Sequence, residues 1–154
     1  MNKPEVVPYE EKFRGDFYSI NREWLDEFFM MTEGDEDILR HPDKILEEGG
    51  EIFFAVEGGQ PIGTCAMIRC GRDEFELAKM GVLRSGRRKG FGSLLLVAAL
   101  DFARRKKALR VTLETSVKLP QAIALYEKFG FAREGEEYIH PLFGRKIFKM
   151  IKDL

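Results

Sequence analysis

Apolar residues along this chain recur with helical and strand periods in turn, and the order of those periods predicts its elements. Lys3 to Tyr9 reads as a short strand that Pro4 and Pro8 confine to a sheet edge. From Asp16 to about Met31, Phe17, Ile20, Trp24, Leu25, Phe28 and Phe29 recur at helical spacing, with Glu23, Asp26 and Glu27 opposite. Thr32 to Leu39 and Pro42 to Glu48 predict a broken second helical segment, stopped by Gly49-Gly50. Glu51 to Val56 is rich in strand formers, Gly58-Gly59 marks a hairpin turn, and Pro61 to Cys70 is the returning strand. Glu74 to Leu83 follows as a third strand. Its alternation places Glu76, Ala78, Met80 and Val82 on one face, unless a bulge near Gly81 breaks the register.

The second half repeats the alternation. Phe91 to about Lys107 predicts a helix with Phe91, Leu95, Ala98 and Phe102 on a wide apolar face. Arg104 to Lys107 complement its C-terminal dipole. Leu109 to Thr115 is a strand, so strand, helix and strand imply a right-handed parallel crossover. Pro120 opens another helix, which ends at Phe129 with Gly130 as its left-handed cap. Phe131 to Ile139 and Arg145 to Ile151 close the chain as an antiparallel pair. The expected fold is α+β, one domain over residues 1–154. Its sheet is mixed, mostly antiparallel, of about six or seven strands, with a central parallel β–α–β crossover and helices on both faces.

Composition narrows the class. Apolar residues make up 44% and charged residues 33%, as in a folded globular protein. The longest apolar run, Leu94 to Leu100, is too short to cross a bilayer, and Met-Asn-Lys-Pro-Glu carries no signal-peptide core. A cytoplasmic protein without a membrane partner is expected. Cys65 and Cys70 point to opposite faces of one strand and are not expected to pair. His41 and His140 each precede a proline and read as turn residues, and no metal site is expected. Charge is uneven: residues 1–60 hold 6 Lys and Arg against 16 Asp and Glu, whereas the remainder is basic. Such a division suggests one cationic and one anionic ligand.

The candidate for the anionic ligand is Arg84-Ser85-Gly86-Arg87-Arg88-Lys89-Gly90-Phe91-Gly92-Ser93. It joins a strand to a helix, so the unpaired amides of the first helical turn can face a phosphate. A P-loop is disfavoured because Gly81 to Arg88 lacks the terminal Ser or Thr that would bind the metal. A dinucleotide fingerprint fits poorly, since Leu95 stands where the third glycine belongs. Arg87-x-x-Gly90-x-Gly92 instead resembles the acetyl-CoA pyrophosphate loop of the GNAT superfamily of N-acetyltransferases. Glu76 to Val82 resembles the strand that precedes that loop in the family. The segment Ala122 to Phe131 resembles the family's Ala-x-x-x-Tyr-x-x-x-Gly-Phe motif.

The resemblance, covering roughly residues 51–139, implies an enzyme that moves acetyl from acetyl-CoA to an amine by direct attack in a ternary complex. It implies cofactor contacts from Met80, Gly81, Val82, Arg87, Arg88, Lys89, Gly90, Phe91, Gly92 and Ser93, with Ser116 standing where an Asn is common. It assigns Glu76 as the base, acting through water, with Glu74 and Glu114 as lesser candidates, and Tyr126 as the general acid. A backbone N–H near Met80 would serve the thioester oxygen if the strand splays there. Trp24 and Phe28 are expected as the acceptor's apolar wall. Glu23, Asp26, Glu27, Glu33, Asp35, Glu36 and Asp37 are expected to attract a cationic acceptor. Lys79 and both cysteines read as structural. A non-catalytic acyl-CoA-binding domain is the alternative, and a homodimer through the terminal hairpin is open. A nucleic-acid-binding module is disfavoured by a pI near 6.2 and the absence of an aromatic-rich basic face.

Overall fold

The computed structural model describes residues 3–154. In chain order the elements are β1 (Glu5–Pro8), α1 (Arg14–Phe28), α2 (Glu33–Arg40), α3 (Pro42–Glu47), β2 (Glu51–Glu57), β3 (Gln60–Arg69), β4 (Glu74–Val82), α4 (Phe91–Arg105), β5 (Arg110–Thr115), α5 (Pro120–Lys128), β6 (Ala132–Ile139) and β7 (Lys146–Asp153). Single 3-10 turns precede α1 and α4. The strands form one 7-stranded sheet in the order β1-β2-β3-β4-β5-β7-β6. Only β4 and β5 run parallel, joined through α4, and every other neighbouring pair is antiparallel. The expected mixed sheet and its crossover are therefore present.

The unbroken apolar run Ile52 to Val56 is buried residue by residue, which places β2 under helices on both faces. On one face Ile52, Phe54 and Val56 pack against Phe13, Phe17, Leu25, Leu39 and Ile45 from α1 to α3 and the turn before them. On the other, Phe53 and Ala55 pack with Phe91, Leu95, Leu96, Ala99 and Phe102 of α4. The two cores lie on opposite faces of the sheet, so a break in it would open a passage between them.

That break lies along β4. Its pairing with β5 runs from Glu74↔Arg110 to Leu77↔Leu113 and stops there. Beyond that point β5 continues beside β7, as far as Thr115↔Phe148. On the β3 side the register jumps from Ala66↔Ala78 to Thr64↔Gly81, so Lys79 and Met80 together oppose Cys65. Lys79 takes a left-handed φ of 49°, the mark of a bulge. The single face expected for Glu76, Ala78, Met80 and Val82 is thus corrected. Glu76, Ala78 and Lys79 line the face covered by α1 to α3, whereas Met80 and Val82 pack with the α4 core. One inserted residue reverses every side chain after it.

Candidate active site

The anion loop meets one edge of the break. Gly90 holds φ 83° as the residue before α4, a conformation that L side chains rarely adopt, and nothing lies where its Cβ would be. No side chain caps α4, so the amides of Phe91, Gly92 and Ser93 are left for an incoming anion. A Cβ on Gly92 would sit 2.9 Å from Leu125 Cδ2, which keeps α5 close beneath the loop. Arg88 and Lys89 are exposed beside it. Open amides, a left-handed glycine and free cations fit a pyrophosphate.

The loop is also anchored to α1. Glu27 accepts from Arg87 at 3.1 and 3.2 Å and from Arg84 at 2.9 Å, and Glu23 accepts from the Arg84 amide at 3.0 Å. Hydrogen bonds from Arg87, and then Arg84, hold the Glu27 carboxyl below its ordinary range. Phe28 lies under the Arg87 guanidinium, 5.7 Å from ring centroid to carbon. It is not among the cavity-lining residues, and Phe29 takes the wall position instead, because α1 ends at Phe28 and the chain turns there. Trp24 does line the cavity, packed so closely on Gly81 that a Cβ would overlap the indole.

The other edge of the break opens into a cavity of about 400 Å³ between the sheet, α1 to α3 and the β6–β7 turn. Glu76, Lys79, Glu114, Ser116, His140 and Arg145 are among its polar groups, with Asp37, Lys44 and Glu48 from α2, α3 and the residue after it, and Trp24, Phe29 and Phe143 are its aromatic ones. Burial, then the charge of Glu114 and a hydrogen bond with it, raises the Glu76 carboxyl to about 7. Glu114 is itself held from outside: the Tyr138 hydroxyl donates to its Oε2, and His140 Nε2 lies 3.4 Å from its Oε1. His140 Nδ1 accepts from the amides of Leu142 and Phe143 at 3.0 and 3.2 Å, so the neutral ring carries its proton on Nε2. His140 is thus the turn residue expected from His-Pro and also part of the cavity. Glu74, the other lesser candidate, sits at the far end of β4 against the Cys70 thiol.

A buried ion triad closes the outer wall. Asp35 is fully buried and binds Lys79 Nζ at 2.6 Å and Arg145 through both carboxylate oxygens. Burial alone would raise the Asp35 carboxyl, but hydrogen bonds from Arg145 and Lys79 prevail and hold it far below its usual range. Arg145 also donates to the Met30 carbonyl at 3.0 Å, and Lys79 lies 4.2 Å from the Phe143 centroid. Lys79 is therefore a cavity residue and not simply a strand residue. Nothing in the local sequence marks it, since its partners Asp35 and Phe143 lie 44 and 64 positions away.

Tyr126 lies on the opposite face, buried in the α4 core and edge-to-face with Phe131 at 6.0 Å. Burial, then the nearby Cys65, lifts its phenol far above the ordinary value. Met80, Gly81 and Val82 form the β4 edge between loop and break. Ser116 follows the end of β5, with its hydroxyl accepting from the Lys118 amide at 3.1 Å. The acidic residues expected to draw a cationic acceptor are largely paired: Glu23 and Glu27 with the loop, Asp26 with Arg22, Glu36 with Arg40, and Asp35 in the triad. Burial raises the thiols, Cys65 to about 12 and Cys70 to about 11, so neither is an activated nucleophile. Among the described residues no group of three or more His, Cys, Asp or Glu is placed to hold a metal ion. No described helix is long and apolar enough to cross a membrane.

Residues 17–131 match the model of the acetyltransferase (GNAT) family. The chain belongs to that family. Among curated relatives it is 33% identical over 96 residues to probable N-acetyltransferase family 8 member 5 of Mus musculus, covering 59% of this chain and 42% of that one. It is 25% identical over 121 residues to the uncharacterized N-acetyltransferase YvbK of Bacillus subtilis (strain 168), covering 79% and 76%. The chain spans less than half the length of the mammalian relatives it matches. The fold is shared with a GNAT-family acetyltransferase from Staphylococcus aureus Mu50, with a TM-score of 0.86, 18% identity, and 98% and 99% coverage. It is shared too with the Salmonella typhimurium protein yncA, solved with its cofactor acetyl-CoA, with a TM-score of 0.81, 18% identity, and 98% and 94% coverage.

Proposed function

We propose that this GNAT protein is an N-acetyltransferase that moves the acetyl group of acetyl-CoA onto a primary amine by direct attack in a ternary complex. The observation that carries the reading is the parting of β4 from β5 after Leu77. It joins an anion loop on one side to a cavity holding the raised Glu76 carboxyl beside Glu114 on the other. Acetyl-CoA, when bound, supplies an activated thioester. The amides of Phe91 to Ser93 hold its pyrophosphate, with Arg87, Arg88 and Lys89 adding charge. Met80, Gly81 and Val82 border it on β4, and Ser116, just after β5, is the proposed contact from the other strand.

Glu76 accepts the proton that an ammonium must lose before it can attack. A base near 7 suits this task, because a useful fraction is ionised at neutral pH while the proton is still taken readily. Glu114 raises Glu76 by its charge, and Tyr138 and His140 keep Glu114 in place. As the carbon–sulfur bond of the thioester breaks, Tyr126 Oη, on the other face, gives its proton to the departing CoA thiolate; its high pKa keeps it protonated at rest. The raised cysteine thiols favour direct attack over a ping-pong route.

The test is free-thiol release from acetyl-CoA against a panel of amines, beside calorimetry with acetyl-CoA. Release with at least one amine supports the proposal. Tight binding with no release for any amine would favour a non-catalytic acyl-CoA-binding domain. Failure to bind would remove both.

A further inference from the structure

We infer that Tyr138 and His140 are positioning residues that decide which carboxylate of the Glu76–Glu114 pair carries the proton. Tyr138 donates to Glu114 and His140 sets its protonated nitrogen beside it, so Glu114 stays the anion and Glu76 is the carrier. This deepens the transferase reading, and rests on it for the role of Glu76 as base. Two carboxylates in hydrogen-bonding contact share their first proton, and a symmetric pair has no preference for where it sits. The preference has to come from the surroundings.

The strand order supplies it. Neighbours run β4, β5, β7, β6, so side chains at the end of β6 must cross β7 to reach Glu114 on β5. Tyr138 does so and donates its hydroxyl to Oε2, while His140 places Nε2 3.4 Å from Oε1. Each carboxylate oxygen of Glu114 therefore meets one group from β6. The imidazole is fixed at its other nitrogen, because Nδ1 accepts from the amides of Leu142 and Phe143 at 3.0 and 3.2 Å. Its ring also stacks on Phe143, with centroids 4.4 Å apart. A proton on Nδ1 would displace both amides, so the nitrogen beside Glu114 is the one that carries hydrogen.

Glu76 is placed differently. Lys79 on its own strand and Lys149 on β7 act on it through charge alone, and the Cys70 thiol beyond β3 is pushed up to about 11 and stays neutral. Around the cavity stand Asp37, His41, Lys44 and Glu48 on the α2–α3 side, and Arg145 bound to Asp35. Of all these groups, only Tyr138 and His140 contact one carboxylate of the pair and not the other.

Donors favour the charged form of the carboxylate they touch. The proton taken from the acceptor therefore rests on Glu76, in its hydrogen bond with Glu114. The arrangement has a consequence for the base. A Glu114 that took the proton itself would lose the charge that raises its neighbour, whereas a Glu114 held as the anion keeps Glu76 basic from one turnover to the next.

Carbon-13 resonances of the two side-chain carboxyls, assigned through Glu76→Gln and Glu114→Gln, report where the proton sits in the free protein. In wild type the step near pH 7 is expected at Glu76, with little response at Glu114. Tyr138→Phe removes one donor and keeps the ring, so the step should divide between the two carboxyls and move up by about half a pH unit. His140→Phe keeps a ring against Phe143 and loses Nε2–H. It should act in the same direction and less, since 3.4 Å is long for a hydrogen bond. Glu114→Gln should move the Glu76 step down by about one pH unit, because the neighbouring charge is gone. A role in packing alone would leave the division of the step unchanged. A wild-type step seated on Glu114, a Tyr138→Phe step still confined to Glu76 at its original pH, or a Glu76 step unmoved in Glu114→Gln would each overturn the inference. The titration needs no turnover, so it separates the two readings. The expected titration without thiol release keeps the seat of the proton and removes the transferase; thiol release without the expected division does the reverse.

Discussion

The donor loop and the acceptor cavity lie on either side of one break in the sheet, yet they are built in opposite ways. The loop is local: Arg84 to Ser93 are consecutive, and their binding groups are mostly backbone amides fixed by a left-handed glycine and a helix start. The cavity is assembled from side chains on α1, α2, α3, β4, β5 and the β6–β7 turn, and its charged groups are partnered across as many as 110 positions. A backbone site recognises a charge that any member of the family can share. A side-chain site can change its ligand by changing one residue. On the proposed reading, this contrast would let the fold set the donor and leave the acceptor to the side chains of this chain.

Substitutions in the two regions should separate donor binding from chemistry. The largest effect is expected from Gly90→Glu, which puts a side chain at φ 83° and a negative charge where a pyrophosphate belongs. Calorimetry should find acetyl-CoA affinity abolished, and retained affinity would break the backbone-amide account. Next is Glu76→Gln, which should lower kcat by roughly 10²–10⁴-fold while leaving acetyl-CoA affinity near wild type. Tyr126→Phe should lower kcat by about 10²-fold with donor affinity again kept, since it removes only a proton donor. Arg87→Ala, which preserves the amides, should weaken acetyl-CoA binding by only about tenfold. An Arg87→Ala loss larger than that of Gly90→Glu would reverse the ranking on which the loop is argued.

A stability measurement sharpens the same contrast. Asp35→Ala leaves two buried cations without their partner and should cost about 3–5 kcal/mol in chemical denaturation. Truncating Arg88, exposed on the loop, should cost almost nothing. Because the folded carboxyl of Asp35 lies below its unfolded value of 3.8, the stability it contributes is present above about pH 4. It is lost as pH falls further.

Most of the fold was legible in the chain, because helix and strand periods, glycine turns and Pro120 are local signals. Element ends predicted from them fall within about three residues of the observed ones. The anion loop was legible for the same reason. The Lys79 bulge was not, because a one-residue insertion leaves the composition of β4 unchanged and only moves Met80 and Val82 to the other core. Nor was the triad of Asp35, Lys79 and Arg145, whose members come from three distant elements. Charge counted along the acidic first third does not show which carboxylates are paired; Glu27 belongs to the loop's arginines and Asp35 to the triad, whereas Asp37 lines the cavity. The His-Pro pairs signalled turns, and that signal hid the contact of His140 with Glu114.

The central claim is that a carboxylate in the cavity, separate from the donor loop, takes the acceptor's proton. Its most direct test is the pH dependence of kcat/KM for thiol release with one accepted amine, in wild type and in Glu76→Gln. A raised base works only when ionised, so the wild-type rate should climb as pH rises through about 7. In Glu76→Gln that limb should disappear while calorimetry still finds acetyl-CoA bound. A variant that keeps the limb at the same pH and an undiminished rate would contradict the account.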